Sequence, residues 1–435
     1  MKITFRRHLI TSSLTIAISL LLTVPVTFGQ TPTATTPAAR DEKLYQRALR
    51  LHRTALVVDG HNDITSPMTD EDYDLGTPSV GKYHTDLARL KQGGMTAEFF
   101  AIYVGNEFVK KGQGTRRAMD LIDVVFRATE RHPNELMIAT TPADIRRAKK
   151  AGKIAAFMGI ENGAAIDNSL KTLRDFYRLG VRYMTLTHNF NNDWADSGRD
   201  EAKHNGLTDF GKEVVREMNR IGMLVDVSHV SDKTMSDALD ISRAPVIASH
   251  SSARALSDHS RNIPDVLLKR IAQNGGVVMV NFYPTFIDQK VYDASKRRDI
   301  KLKPQYDLLR EQYKDDPKRL DEEITKLNDA NPLPETPLSV LIDHIDHIAK
   351  TAGINHVGLG SDFDGVPSLP EGMKDIAQLP NITYELLRRG YSDGDVRKVL
   401  GENFLRAFTQ AERIARESSK TISGDGSLKR LEAAK

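Results

Sequence analysis

Cysteine is absent from the 435 residues. Disulfides, thiolate-held zinc, iron–sulfur clusters and thiol nucleophiles are therefore excluded. Any metal must be held by histidine and carboxylate, a donor set that suits Zn²⁺, Mn²⁺ or Co²⁺ in an open site. Aromatic residues are few, at 6%, and form no stacking platform for bases. An excess of charge is also missing. The 61 basic and 58 acidic side chains leave a formal net charge of +3, which gives no footprint of a nucleic-acid partner. No repeat of fixed period is present. With 40% hydrophobic and 27% charged residues, the chain is long enough for one large domain with a full core.

The longest apolar run is N-terminal. Lys2, Arg6 and Arg7 precede an apolar stretch that ends near Phe28, and small residues and a Thr/Pro/Ala-rich stretch follow. This layout predicts a signal peptide over residues 1–29, a linker over 30–40, and export to the periplasm or beyond. An uncleaved signal is the competing reading and the only route to a membrane. The Arg6-Arg7 pair is compatible with twin-arginine export and with an ordinary signal.

The remainder alternates short apolar runs with helical patterns, which indicates parallel βαβ units. Strands are expected to end in "VDGHND", "AEFFAIYVG", "GIENG", "VRYMTLTHN", "DVSHVS", "APVIASH", "GGVVMVNFY" and "HVGLGSD". Eight strands with intervening helices predict a (β/α)8 TIM barrel over residues 41–417. A charged segment at about 284–337 reads as an exposed helical hairpin between strands seven and eight, either a solvated insertion or a lid. Residues 418–435 read as a polar tail.

In such a barrel, side chains at strand C-termini converge on one mouth. His61 and Asp63 follow the first strand two residues apart, so one metal can take both. Glu161 ends a strongly apolar strand, where an unpartnered carboxylate would be costly. Bridging two cations would answer that cost, and a structural ion pair is the alternative. His229 and His250 end neighbouring strands and suit a second metal, although either alone could be a hydrogen-bonded core histidine. His188 is read as a substrate-polarising group. Arg261 suits capture of a substrate carboxylate, with an ordinary salt bridge as the competing reading. Asp362 is placed as the acid–base that orients a metal-bridged hydroxide, takes its proton and passes it to the leaving amine. Asp364 is a less favoured substitute.

The fragments "VDGHND", "GIENG", "GVRYMTLTHN", "NDWADS", "DVSHVS", "IASHSSARAL", "RNIPD" and "GLGSDFDGVPSLPEGM", in this order, resemble the membrane (renal-type) dipeptidase family, the M19 metallopeptidases of the amidohydrolase superfamily. The resemblance implies a zinc dipeptidase with two Zn²⁺ per chain. By similarity, His61 and Asp63 bind one ion, His229 and His250 bind the other, and Glu161 bridges them. His188 and Arg261 would contact a small dipeptide, with a D-residue at its C-terminal position left open, and Asp362 would be the acid–base. Where the family often has Gly-Gly-His after the bridging glutamate, this chain has Asn162, Gly163 and Ala164. Mammalian members are disulfide-linked and lipid-anchored, whereas this sequence has neither cysteine nor a C-terminal apolar tail. Other enzymatic readings are an amidohydrolase for N-acyl amino acids or lactams, and a barrel that binds without catalysis. A homodimer is compatible with the sequence.

Overall fold

The computed structural model describes residues 40–424, so the expected signal peptide lies outside the described residues. Within these, residues 42–424 form one unit. Its strands are β1 (Val58–Asn62), β2 (Ala97–Tyr103), β3 (Leu136–Ile138), β4 (Ile154–Glu161), β5 (Val181–Thr185), β6 (Leu224–Asp226), β7 (Ile247–Ala248), β8 (Val277–Val280) and β9 (Val357–Leu359). All their pairings are parallel. The ring runs β1-β2-β4-β5-β6-β7-β8-β9 and closes from β9 to β1. It is the expected eight-stranded parallel barrel.

Strand β3 is additional. It pairs with Ile154 to Ala156 at the start of β4, below the stretch from Met158 that pairs with β5. Three residues carry too little pattern to be read as a strand; the open edge of β4 makes them one.

Alternation along the strands sorts side chains to two faces. Phe99, Phe157 and Tyr183 point into the barrel, with ring centroids 4.8 and 5.2 Å from that of Phe99. Phe404 of the last helix closes the packing at 5.1 Å from Phe99. Each such buried ring contributes roughly 1.5–3 kcal/mol. The opposite alternates, Phe100, Ile102, Met158 and Ile160, join Leu121, Ile122 and Val125 of the helix Gly114–Arg131 in the outer core.

Helix ends follow local chemistry. Ser231 accepts a hydrogen bond from the Thr234 N–H, and Gly222 stops the helix Asp209–Ile221 at φ 88°, a left-handed value glycine adopts freely. The charged segment after β8 is helical, over Gln289–Gln312 and Pro317–Asp329, and Tyr306 Oη donates to Asn328 Oδ1 at 2.6 Å across the pair. Leu308 is 66% exposed; the hairpin is too thin to cover it. The last helix, Asn403–Gly424, extends into the segment read as a tail. Among the described residues, no helix is long and apolar enough to cross a membrane.

Candidate metal centre and active site

The strands stop earlier than their apolar runs suggest, and the polar residues occupy the turns that follow. His61 and Glu161 lie within β1 and β4, whereas His229, His250 and Asp362 lie beyond the ends of β6, β7 and β9. His229 and Asp362 have φ 66° and 64°, a left-handed conformation that costs a side-chain-bearing residue energy and ends the pleat.

Two buried aspartates hold these turns. Asp226 accepts the Ser249 N–H at 2.8 Å and the Ser249 hydroxyl at 2.6 Å, which ties β6 to the turn carrying His250. Asp59 accepts the Ser361 N–H at 2.7 Å and the Ser361 hydroxyl, which ties β1 to the turn carrying Asp362. Neither was singled out in the sequence, although both follow apolar runs as the metal-seeking residues do. Spacing cannot separate a side chain that binds the next turn from one that faces the mouth.

The described side chains assign the histidine tautomers. Tyr183 crosses the barrel over Gly159, where a Cβ would fall 2.0 Å from the ring. The Tyr183 hydroxyl donates to the Gly60 carbonyl at 3.0 Å and lies 2.8 Å from His61 Nδ1. Having spent its proton, it must accept from Nδ1–H, so the Nε2 lone pair of His61 faces the mouth. Ser249 repeats this arrangement: its hydroxyl donates to Asp226 and lies 2.8 Å from His250 Nδ1. The Nε2 lone pair of His250 is thereby turned inward as well. Such partners on the far nitrogen are the usual support of a metal-binding imidazole.

These nitrogens converge on Glu161. Its Oε1 lies 2.8 Å from His229 Nε2, 3.4 Å from His250 Nε2 and 3.7 Å from His188 Nε2. Its Oε2 lies 3.5 Å from His61 Nε2, and Asp63 Oδ2 is 3.2 Å from the same nitrogen. His61, Asp63 and Asp362 form one close set, His61, Glu161 and His250 a second, and Glu161, His188 and His229 a third. His188, read as a substrate contact, is thus within the same cluster as the ligand candidates.

The charges agree with a cation site. Burial alone would raise the Glu161 carboxyl, but His61, His188, His229 and His250 hold it well below its usual range. Burial works against a charge on His61, yet Tyr183, Asp63 and Glu161 push its pKa well up. A proton there occupies the place a metal would take. His61 Nε2 and His229 Nδ1 are buried and lack a hydrogen-bond partner among the described residues. Clusters of histidine nitrogens and carboxylates of this kind fit metal binding.

Asp362 Oδ2 accepts from Asn281 Nδ2 at 2.7 Å, and burial raises its carboxyl. Asn281 was missed, although it ends an apolar run as Glu161 does. Asp364 is tied to His84, accepting the His84 N–H at 2.6 Å while its own N–H donates to His84 Nδ1 at 2.9 Å. Arg261 is buried behind His250: Nη2 donates to the His250 carbonyl at 3.0 Å, Nη1 to Ser251 Oγ at 3.3 Å, and Nε has no partner among the described residues. A cavity of about 470 Å³ opens over the group, lined by Asp63, Glu161, His188, His229 and Asp362.

The sequence matches the membrane dipeptidase family, peptidase family M19, over residues 45–421. The chain belongs to that family. As a member it is an enzyme, a hydrolase of the metallo-dipeptidase type. It is similar to the crystal structure of the probable dipeptidase PvdM from Pseudomonas aeruginosa, with 29% identity, a TM-score of 0.73, and coverage of 86% of this chain and 100% of that one. A second similar structure, dipeptidase AC, a metallo peptidase of family M19, has 25% identity and a TM-score of 0.67 over 82% of this chain and 99% of that one. The fold is shared with a metallo peptidase from Rhodobacter sphaeroides liganded with a phosphinate mimic of the dipeptide L-Ala-D-Ala, at 24% identity and a TM-score of 0.67 over 82% and 99% of the two chains.

Proposed function

We propose that the chain is an exported, zinc-dependent dipeptidase that would hold two ions per chain, with Glu161 as the ligand they would share. The observation that carries this reading is the Glu161 carboxylate, whose two oxygens face His229 and His250 on one side and His61 beside Asp63 on the other. His61, Asp63 and Glu161 would hold one ion, and His229, His250 and Glu161 the other. Zinc there would supply Lewis acidity and a water ionised near neutral pH.

The other steps fall to the chain's own groups. Asp362, its carboxyl raised by burial and its Oδ2 fixed by Asn281, takes the proton of the attacking water and returns it to the leaving amine. His188, kept neutral by burial, donates an N–H to the oxygen that gains charge as the carbonyl is attacked. Arg261, whose buried Nε has no partner among the described residues, takes the C-terminal carboxylate of the dipeptide. Acceptance of a C-terminal D-residue, the configuration mimicked in the Rhodobacter sphaeroides complex, is part of the proposal.

Metal analysis of the purified mature protein, with a panel of L-L and L-D dipeptides, tests this reading. The expected result is about two zinc per chain and turnover of free dipeptides. A protein without bound divalent metal that gains no activity on adding zinc is not this enzyme.

A further inference from the structure

The helix Gln289–Gln312 of the charged insertion turns one side inward, with Leu302 buried and Tyr306 and Leu309 half-buried. Its other side faces solvent. Ile300, Pro304 and Leu308 follow one another at intervals of four, which lines them along one face. Ile300 is 77% exposed, Leu308 is 66% exposed, and Pro304 between them is exposed too. Among the described residues, no other helix leaves two large apolar side chains exposed. An apolar stripe in water gains by meeting another apolar surface.

The charges beside the stripe select that surface. Arg297 and Lys301 stand on the same face before Pro304, and Asp307 and Glu311 stand on it after, all of them exposed. The face is therefore basic at its start and acidic at its end. Arg297 and Lys301 enter no ion pair among the described residues, and Lys301 donates to Asn331 Oδ1 at 3.4 Å. Asp307 is paired within the helix to Lys303 at 2.6 Å and to Arg310 at 3.2 Å, and Glu311 to Lys314 at 3.5 Å. Such exposed pairs are weak, and the side chains of Asp307 and Glu311 stay 50% and 80% exposed.

The pattern is also symmetric about Pro304. Ile300 and Leu308 lie four residues to either side of it, Lys301 and Asp307 three, and Arg297 and Glu311 seven. Turned end for end, the face complements itself: Ile300 comes level with Leu308, Arg297 with Glu311, and Lys301 with Asp307. A parallel pairing would set like charges level with one another. We propose that this face pairs antiparallel with the same face of a second copy of the chain, about a two-fold axis at Pro304. Such an interface is isologous, with each contact made twice. A single helix face about 21 Å long buries less than a permanent dimer does, so the association is reversible and depends on concentration. None of these residues lines the mouth, and the pairing stands apart from the catalytic reading.

Sedimentation velocity of the purified mature protein over a wide range of concentration tests the pairing. Wild type should pass from monomer to dimer as concentration rises. Leu308→Ser, Arg297→Glu and Glu311→Arg should each weaken the dimer by about tenfold or more, because the two-fold axis places every change at the interface twice. Arg297→Glu combined with Glu311→Arg exchanges the two charges and should restore the dimer, which a defect of folding would not allow. Melting temperatures at the wild-type value check that each variant is folded. A wild type that stays monomeric at every concentration overturns the proposal. So does a dimer that withstands Leu308→Ser and Arg297→Glu, or one that the double exchange fails to restore. A monomer that instead sediments with anionic phosphatidylglycerol vesicles, and loses them in Leu308→Ser, would assign the face to a membrane and overturn the pairing as well.

Discussion

The Nε2 atoms of His229 and His250 face each other at 2.8 Å, and both lie within 3.4 Å of the same Glu161 oxygen. The hydrogen-bond chain through Ser249 and Asp226 gives His250 Nε2 a bare lone pair. A cation between the two rings would satisfy that lone pair and the Glu161 charge together. Chelation of the loaded enzyme should therefore abolish activity and lower the melting temperature, because a ligand that binds only the folded state stabilises it. His250→Ala should reduce the bound zinc from about two to about one per chain. Undiminished zinc in that variant would show that His250 is not a ligand.

Asp362→Asn keeps the shape of the side chain and removes the proton acceptor. Turnover should fall by roughly 10²-fold or more while metal content stays at the wild-type level. Retained turnover would remove Asp362 from the acid–base role.

Arg261→Ala should raise KM and lower kcat/KM for free dipeptides, at a cost of about 2–4 kcal/mol. Arg261→Lys should recover only part of this, since an ammonium cannot reproduce the guanidinium fork. C-terminally amidated dipeptides should be poor substrates and nearly insensitive to the change. Equal cleavage of amidated and free dipeptides by wild type would dismiss Arg261 as the carboxylate anchor.

Two glycines separate function from folding. A Cβ at Gly365 would fall 2.2 Å from Asp63 Oδ2 and 2.6 Å from Asp362 Oδ1, which are side-chain ends able to move. Gly365→Ala should thus leave a folded protein whose kcat/KM drops by on the order of 10²-fold, the usual cost of displaced catalytic groups. A Cβ at Gly360 would meet the Ser249 carbonyl oxygen, backbone that cannot yield. Gly360→Ala should lower the melting temperature instead. Thermal melts and assays on both variants check the contrast.

Two buried histidines remote from the mouth set an acid limit. His344 Nδ1 accepts the Ala253 N–H at 3.0 Å and its Nε2 lies 2.8 Å from the Ile287 carbonyl; His52 lies between Thr383 Oγ1 at 2.7 Å and the Gly93 carbonyl at 2.8 Å. Burial lowers each from 6.5 to about 4 in the fold. The unfolded chain then binds more protons between these values, so stability declines as pH falls from about 6.5 to about 4 and levels off below. Melting temperature against pH should show this slope, and His344→Asn should flatten part of it. An unchanged slope in that variant would exclude His344 as a source.

The sequence by itself determined the barrel and most of the cluster. Parallel strands buried on both faces need continuous apolar runs, and a charged or imidazole side chain directly after such a run needs a partner. His61, Glu161, His229 and His250 were legible for that reason. The tertiary structure decided what local pattern cannot encode. The short strand β3 exists only because β4 offers an edge. Asp59 and Asp226 look like ligand candidates in sequence, and only the neighbouring turns show that they hold Ser361 and Ser249. Tyr183 sets the tautomer of His61 from across the barrel, 122 positions away in the chain. A cavity beside the mouth joins Arg199, His259 and Lys296 from three separate segments. Apolar periodicity records which face of an element is buried; it carries no record of which distant side chain will stand opposite, because closing the barrel brings those groups together.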